Sequence, residues 1–230
     1  MKKSTRLSFL ALLVLIPATL YLGTHLKGRW YYLTSTLVIL ETMLPFFFVF
    51  EKRKPQAREI VTIAVMCALA VVSRMVILIP NFKPTTAIIM ITGIALGAEA
   101  GFMTGTITAF ASNFFFSQGP WTPWQMMAYG FGGFLAGLLF HSREERCKPL
   151  TLAVFGFFAI FLAVGPLLDC SSIFSMGARI TTKYVLAVFT AGLPNNLIHA
   201  AACAVTMLVF SKPLLGKLNR LKVKYGMMDV

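Results

Sequence analysis

The chain has 230 residues, of which 57% are hydrophobic and 13% charged, and a mean hydropathy of +0.77. Soluble domains carry about 25% charged residues, and none of this size can hide so much apolar surface, so a bilayer is the solvent for most of the chain. A net charge of +13 raises nucleic acid as a partner. The Lys and Arg residues, however, sit in short breaks between apolar runs, as the positive-inside rule describes, and not on one basic face.

In chain order, eight apolar runs are expected to span the membrane: Leu7–Leu22, Tyr31–Phe50, Ile60–Ile79, Thr85–Ala98, Gly101–Phe116, Gln125–Phe140, Leu150–Leu168 and Tyr184–Phe210. Lys2, Lys3 and Arg6 before the first run give it the look of a signal peptide, but no A-x-A-like cleavage site follows. Thr85–Ala98 and Gly101–Phe116 are short for a crossing of about 20 residues. They read as a tight hairpin buried by longer neighbours, or as partly re-entrant. The polar break Glu51–Glu59, with Pro55, divides the chain. The expected organisation is a two-helix extension over 1–56, a six-helix core over 57–215 and a basic tail over 216–230. The fold class is therefore an all-α integral membrane protein.

Orientation follows from charge. With a cytoplasmic N-terminus, fifteen Lys and Arg fall inside and five outside (Lys27, Arg29, Lys83, Arg179 and Lys183), while Arg74 lies within a span. A bias of that size over short loops places both termini in the cytoplasm and the protein in the cell membrane as a multi-pass chain.

Candidate functional residues are mostly small or neutral. Ala64 and Ala68, four apart on one face of the third run, allow close approach of another helix, either within the protein or from a partner. Gly93, Gly97, Gly101 and Gly105 recur every four residues, and Ala128, Gly132 and Ala136 repeat the pattern. Such stripes mean tight helix packing, or room for a ligand beside the backbone. The segment Ser117–Gln125, SQGPWTPWQ, carries no charge. Trp121 and Trp124 suit interfacial anchors or the flat walls of a ring-binding site, with Gln118 and Gln125 as neutral hydrogen-bonding groups. Arg74, Asn113, Asn195, Asn196 and Asp169 collect in the same outer half, and intramembrane polar groups usually face a cavity or one another. Pro194 is expected to kink the last run and free backbone carbonyls.

Other chemistries lack their signatures. The chain has no GxxxxGK[ST] phosphate loop, no GxSxG elbow and no paired intramembrane carboxylates. Four scattered cysteines and three dispersed histidines make no CxxC or HExxH, so neither a metal nor a resident cofactor is expected. Any uphill movement must draw its energy from another subunit.

On these residues the six-helix body, roughly 57–210, resembles the substrate-binding (S) component of energy-coupling-factor (ECF) vitamin transporters. The Ala64…Ala68 pair, the Gly93–Gly105 hairpin and SQGPWTPWQ leading into Met126–Leu139 carry the resemblance; the two front helices are an addition to the usual six. The resemblance implies an S-component-like bundle that captures a vitamin and is not an enzyme. It also implies a transmembrane coupling subunit and two cytoplasmic ATPases as partners, with Ala64 and Ala68 touching the coupling subunit. Gly119–Gln125, Tyr31–Thr36 and Lys222–Gly226 look most like members assigned to cobalamin, although a flat ring such as riboflavin suits the same pocket. The expected ligand-binding set is Arg74, Asn113, Gln118, Trp121, Trp124, Gln125, Asn195 and Asn196. The rival class is an intramembrane enzyme or accessory protein, for which His199 has no evident partner in sequence.

Overall fold

The computed structural model describes residues 18–19, 21, 30–76, 79–80, 82–143, 145, 147–175 and 180–226. The expected first span, Leu7–Leu22, lies outside these apart from Ala18, Thr19 and Tyr21. Among the described residues every regular element is helical: α1 (Trp30–Lys52), α2 (Ala57–Val76), α3 (Thr85–Leu96), α4 (Ala98–Phe116), α5 (Thr122–Phe140), α6 (Pro149–Ala159), α7 (Gly165–Ser175) and α8 (Thr182–Tyr225). A π-helical turn, Ile160–Val164, joins α6 to α7 in one continuous rod. The protein is an all-α membrane protein.

Four rods are long and apolar enough to cross a bilayer by length and composition: Leu33–Lys52, Ala57–Val76, Pro149–Phe174 and Thr182–Tyr225. Helix α3 is not, because its 12 residues reach only about 18 Å against a hydrocarbon core of roughly 30 Å. All twelve are buried. The helix therefore stands inside the bundle, and its longer neighbours meet the lipid. Of the expected hairpin only α3 is enclosed; α4 keeps Ile107, Phe110, Phe114, Phe115 and Phe116 exposed.

Glycine makes that hairpin possible. Gly97 turns the chain between α3 and α4 at φ +97°, and Gly93, Gly101 and Gly133 bring three backbones together. A Cβ on Gly101 would lie 2.5 Å from the Gly133 carbonyl oxygen, and one on Gly93 would lie 2.2 Å from the same atom. Removing the side chains lets α3, α4 and α5 pack backbone to backbone, the mode that stabilises helices in lipid, where burial of apolar surface gives little drive. Around this trio α2 and α8 close one side. Helix α1 lies against α4 and α5, where Phe46 stacks on Phe102 at 4.0 Å and meets Phe134 edge-on at 5.0 Å. Thr19 donates a hydrogen bond to the Glu41 carboxylate at 2.5 Å.

The π turn has a local cause. Pro166 has no N–H to give the Leu162 carbonyl, and its ring crowds that group. The widened turn, in which Gly165 N–H bonds Ile160 O, relieves the clash. The last helix also differs from expectation. Helix α8 continues through Pro194 and Pro213 and runs past the expected end at Phe210 to Tyr225. At about 66 Å it outreaches the membrane. Its end lies against the start of α2: Arg58 donates to Tyr225 O at 3.4 Å and Gln56 to Gly226 O at 3.5 Å.

Candidate ligand site

At the end of the bundle where α2, α4 and α7 finish and α3, α5 and α8 begin, the polar side chains form one connected network. Arg74 comes from the last turn of α2. Its Nη1 donates to Ser112 Oγ and, at 3.0 Å, to Asn113 Oδ1, both on α4. Asn113 is 1% exposed. Its Nδ2 donates onward to Gln125 Oε1 at 2.8 Å and to Thr122 Oγ1 at 3.1 Å. Thr122 Oγ1 donates in turn to Gln118 Oε1 at 2.9 Å and accepts from the Gly119 N–H at 3.2 Å. Gln118 then ties back to Phe110 O at 3.0 Å. The amide of Asn113 is thus the junction of α2, α4 and α5, with both its donor and its acceptor engaged.

The guanidinium of Arg74 also lies 4.7 Å from the centroid of Phe116, a favourable cation–aromatic arrangement. Lys83, in the loop before α3, faces the same ring at 6.0 Å. Burial pushes its ammonium below the ordinary lysine value, and the neighbouring Arg74 charge adds to the shift. This end of the bundle is cationic and rich in neutral amides.

The two tryptophans part company. Trp121, 38% exposed, folds its ring over Gly119, where a Cβ would come within 2.4 Å of it. Trp124, 8% exposed, sits in the first turn of α5 and stacks on Phe174 of α7 at 5.4 Å. It packs with Ile39 and Met43 of α1 and Phe102 of α4. The expected run begins at Gln125; α5 instead begins at Thr122, with Pro123 in its first turn, and so takes in Trp124.

The asparagine pair also divides. Asn196 is buried and donates to Asp169 Oδ2 at 2.7 Å, whereas Asn195 is exposed. Gly165 and Gly192 make room for that Asp–Asn pair. A Cβ on Gly165 would meet Asn196 at 2.6 Å, and one on Gly192 would meet Asp169 at 2.4 Å. Arg74, Asn113, Gln118 and Gln125 therefore form one cluster, and Asn196 belongs to a second on α7 and α8.

His199 is the residue that sequence reasoning undervalued. It is buried one turn beyond Asn196, its Nε2 is 3.1 Å from Thr86 Oγ1, and Tyr129 meets its ring edge-on at 6.2 Å. Its partners come from α3 and α5, seventy or more positions away in the chain. The i, i+3 spacing from Asn196 was the only local sign that it faces inward. Ala64 and Ala68, by contrast, are exposed on α2 together with Val61, Val65, Leu69 and Val72. They take no part in the packing of the described bundle.

Fold and composition define the class: a multi-pass, all-α membrane protein with a polar network at one end of a glycine-packed bundle. The chain belongs to the family of ECF-type riboflavin transporter S components, whose family model matches residues 54–215. It is accordingly a vitamin-binding transporter subunit and not an enzyme, and such components work with ECF transmembrane and ATPase modules. Comparison with curated proteins returns no match, and neither does comparison with solved structures.

Proposed function

We propose that this chain is the riboflavin-binding subunit of an ECF-type importer, loaded from outside the cell at the Arg74–Asn113–Gln125 end. The observation that carries the proposal is the family match over residues 54–215. The chemistry of the network supports it: on loading, its neutral amides and one guanidinium exchange mutual hydrogen bonds for those of the imide and ring-nitrogen edge of a flavin, without the cost of burying a carboxylate. Trp121 supplies an aromatic surface beside them. Both termini face the cytoplasm in this reading, Ala64 and Ala68 meet the coupling subunit, and two cytoplasmic ATPases supply the energy. The second reading is a corrinoid, favoured by the likeness of Gly119–Gln125 and Lys222–Gly226 to cobalamin-assigned members.

The test is mass spectrometry of small molecules retained by the purified chain, followed by titration with riboflavin, whose fluorescence is quenched on binding. Riboflavin is expected to be retained. Asn113→Ala is expected to weaken its binding by on the order of tenfold or more, because the change strands the hydrogen-bonding groups of Arg74 and Gln125. A retained corrinoid would move the assignment to cobalamin, and a chain that binds neither would overturn it.

A further inference from the structure

At the opposite end of the bundle a cavity of about 260 Å³ opens between the ends of α3 and α5 and the distal part of α8. A water occupies roughly 30 Å³, so the space suits a headgroup-sized ligand. Three cations line it: Arg143, Lys212 and Lys222, with Asn219 beside them and Phe140 and Leu215 at its apolar floor. No carboxylate is among the described lining residues.

Two of these cations are held by backbone carbonyls and not by acids. Arg143 Nη1 donates to Leu139 O, and Lys222 Nζ to Ala95 O, each at 3.0 Å. Both acceptors belong to the last turn of a helix, where carbonyls have no intrahelical partner. These contacts aim the side chains while leaving most of their charge unneutralised. Lys222 also acts electrostatically on Glu59, but that carboxylate is already paired with Arg53. Lys212 makes no hydrogen bond or ion pair among the described residues and is exposed.

The depth of the cavity identifies its ligand. Lys212 stands two residues after Phe210, where the apolar run ends, and Phe140 is the last residue of α5. The cavity therefore lies where the hydrocarbon core gives way to headgroups, on the side richest in Lys and Arg. Basic pockets between transmembrane helices at that level suit phosphate-bearing lipid headgroups. We propose that Arg143, Lys212 and Lys222 form a binding site for a phosphate-type oxyanion, supplied by an anionic phospholipid whose acyl chain continues along the apolar floor. The site lies at the opposite end from the vitamin network and does not depend on which vitamin is carried.

Native mass spectrometry of the purified full chain, with added short-chain phosphatidylglycerol, phosphatidylcholine or inorganic phosphate, tests this. Phosphatidylglycerol is expected to remain bound and phosphatidylcholine to be lost. The double variant Arg143→Gln/Lys212→Gln is expected to weaken phosphatidylglycerol binding about thirtyfold, the effect of removing two interfacial cations. Lys217→Gln, which removes a cation outside the cavity, is expected to leave it unchanged. Circular dichroism checks that each variant is folded, which the exposure of Arg143 and Lys212 favours. Retention of inorganic phosphate without the lipid would keep the oxyanion site and assign its source to a soluble anion. Equal retention of both lipids, equal loss in the Lys217 variant, or no bound anion on the isolated chain would overturn the proposal. The last outcome would leave the cavity to a partner subunit.

Discussion

Asn113 and Trp124 show how much a residue's role depends on what surrounds it. An asparagine near the end of an apolar run is legible as costly and therefore purposeful. That it joins Arg74 to Gln125 is not, because those partners come from two other helices. Trp124 reads in sequence as a wall or an anchor, and the structure places it between Phe174 and the face of α1. Trp124→Ala is therefore expected to lower thermal stability by on the order of 1 kcal/mol or more, the scale of one lost aromatic contact plus the space left behind. A melting curve of the purified variant beside a riboflavin titration separates the effects. A normal melting temperature with lost binding would return Trp124 to the ligand.

At the scale of elements, two small-residue patterns that look alike in sequence do opposite things. Gly93, Gly101 and Gly133 are used up inside the bundle, where backbone meets backbone and nothing flexible can yield. Gly133→Leu is expected to prevent assembly of α3, α4 and α5, since overpacking costs roughly 1–3 kcal/mol even where neighbours relax. Size-exclusion chromatography would show aggregated protein, and a monodisperse, normally melting variant would contradict the packing described. Ala64 and Ala68 instead face outward. Replacing either by Trp is expected to leave riboflavin binding by the isolated chain intact and to abolish uptake by the assembled transporter, because bulk there blocks close helix approach. Equal loss of binding and uptake would place the pair in the chain's own stability. The π turn before Gly165 had no periodic signature, though Pro166 marks its position.

For the whole molecule, the even alternation of helices from α2 to α8 puts the Arg74–Asn113 network at one end and the Arg143–Lys212–Lys222 cavity at the other. In the orientation proposed above, with both termini inside, the first end faces outward and the second the cytoplasm. Single cysteines at Pro55 and Lys217, introduced into a cysteine-free background, are expected to resist a membrane-impermeant thiol reagent in intact cells. Both are expected to react after lysis. Labelling of either from outside would invert the protein and with it both site assignments.

The sequence by itself determined that this chain lives in a membrane, that it is helical and approximately where its helices lie. Those properties follow from local composition: a run of apolar residues must be helical in lipid to satisfy its own backbone. Its small residues and proline–tryptophan segment also pointed to the ECF S components, the family that the match over residues 54–215 shows; the vitamin is not read from them. Tertiary structure alone decided which polar residues meet. Hydrogen bonds between His199 and Thr86, Asn196 and Asp169, or Asn113 and Gln125 depend on the rotation and depth of packed helices, and a near-uniformly apolar helix carries little information about either. It decided, too, that α3 is wholly enclosed and that α8 continues beyond the membrane. Enclosure is a property of neighbours, and no stretch of sequence contains its own.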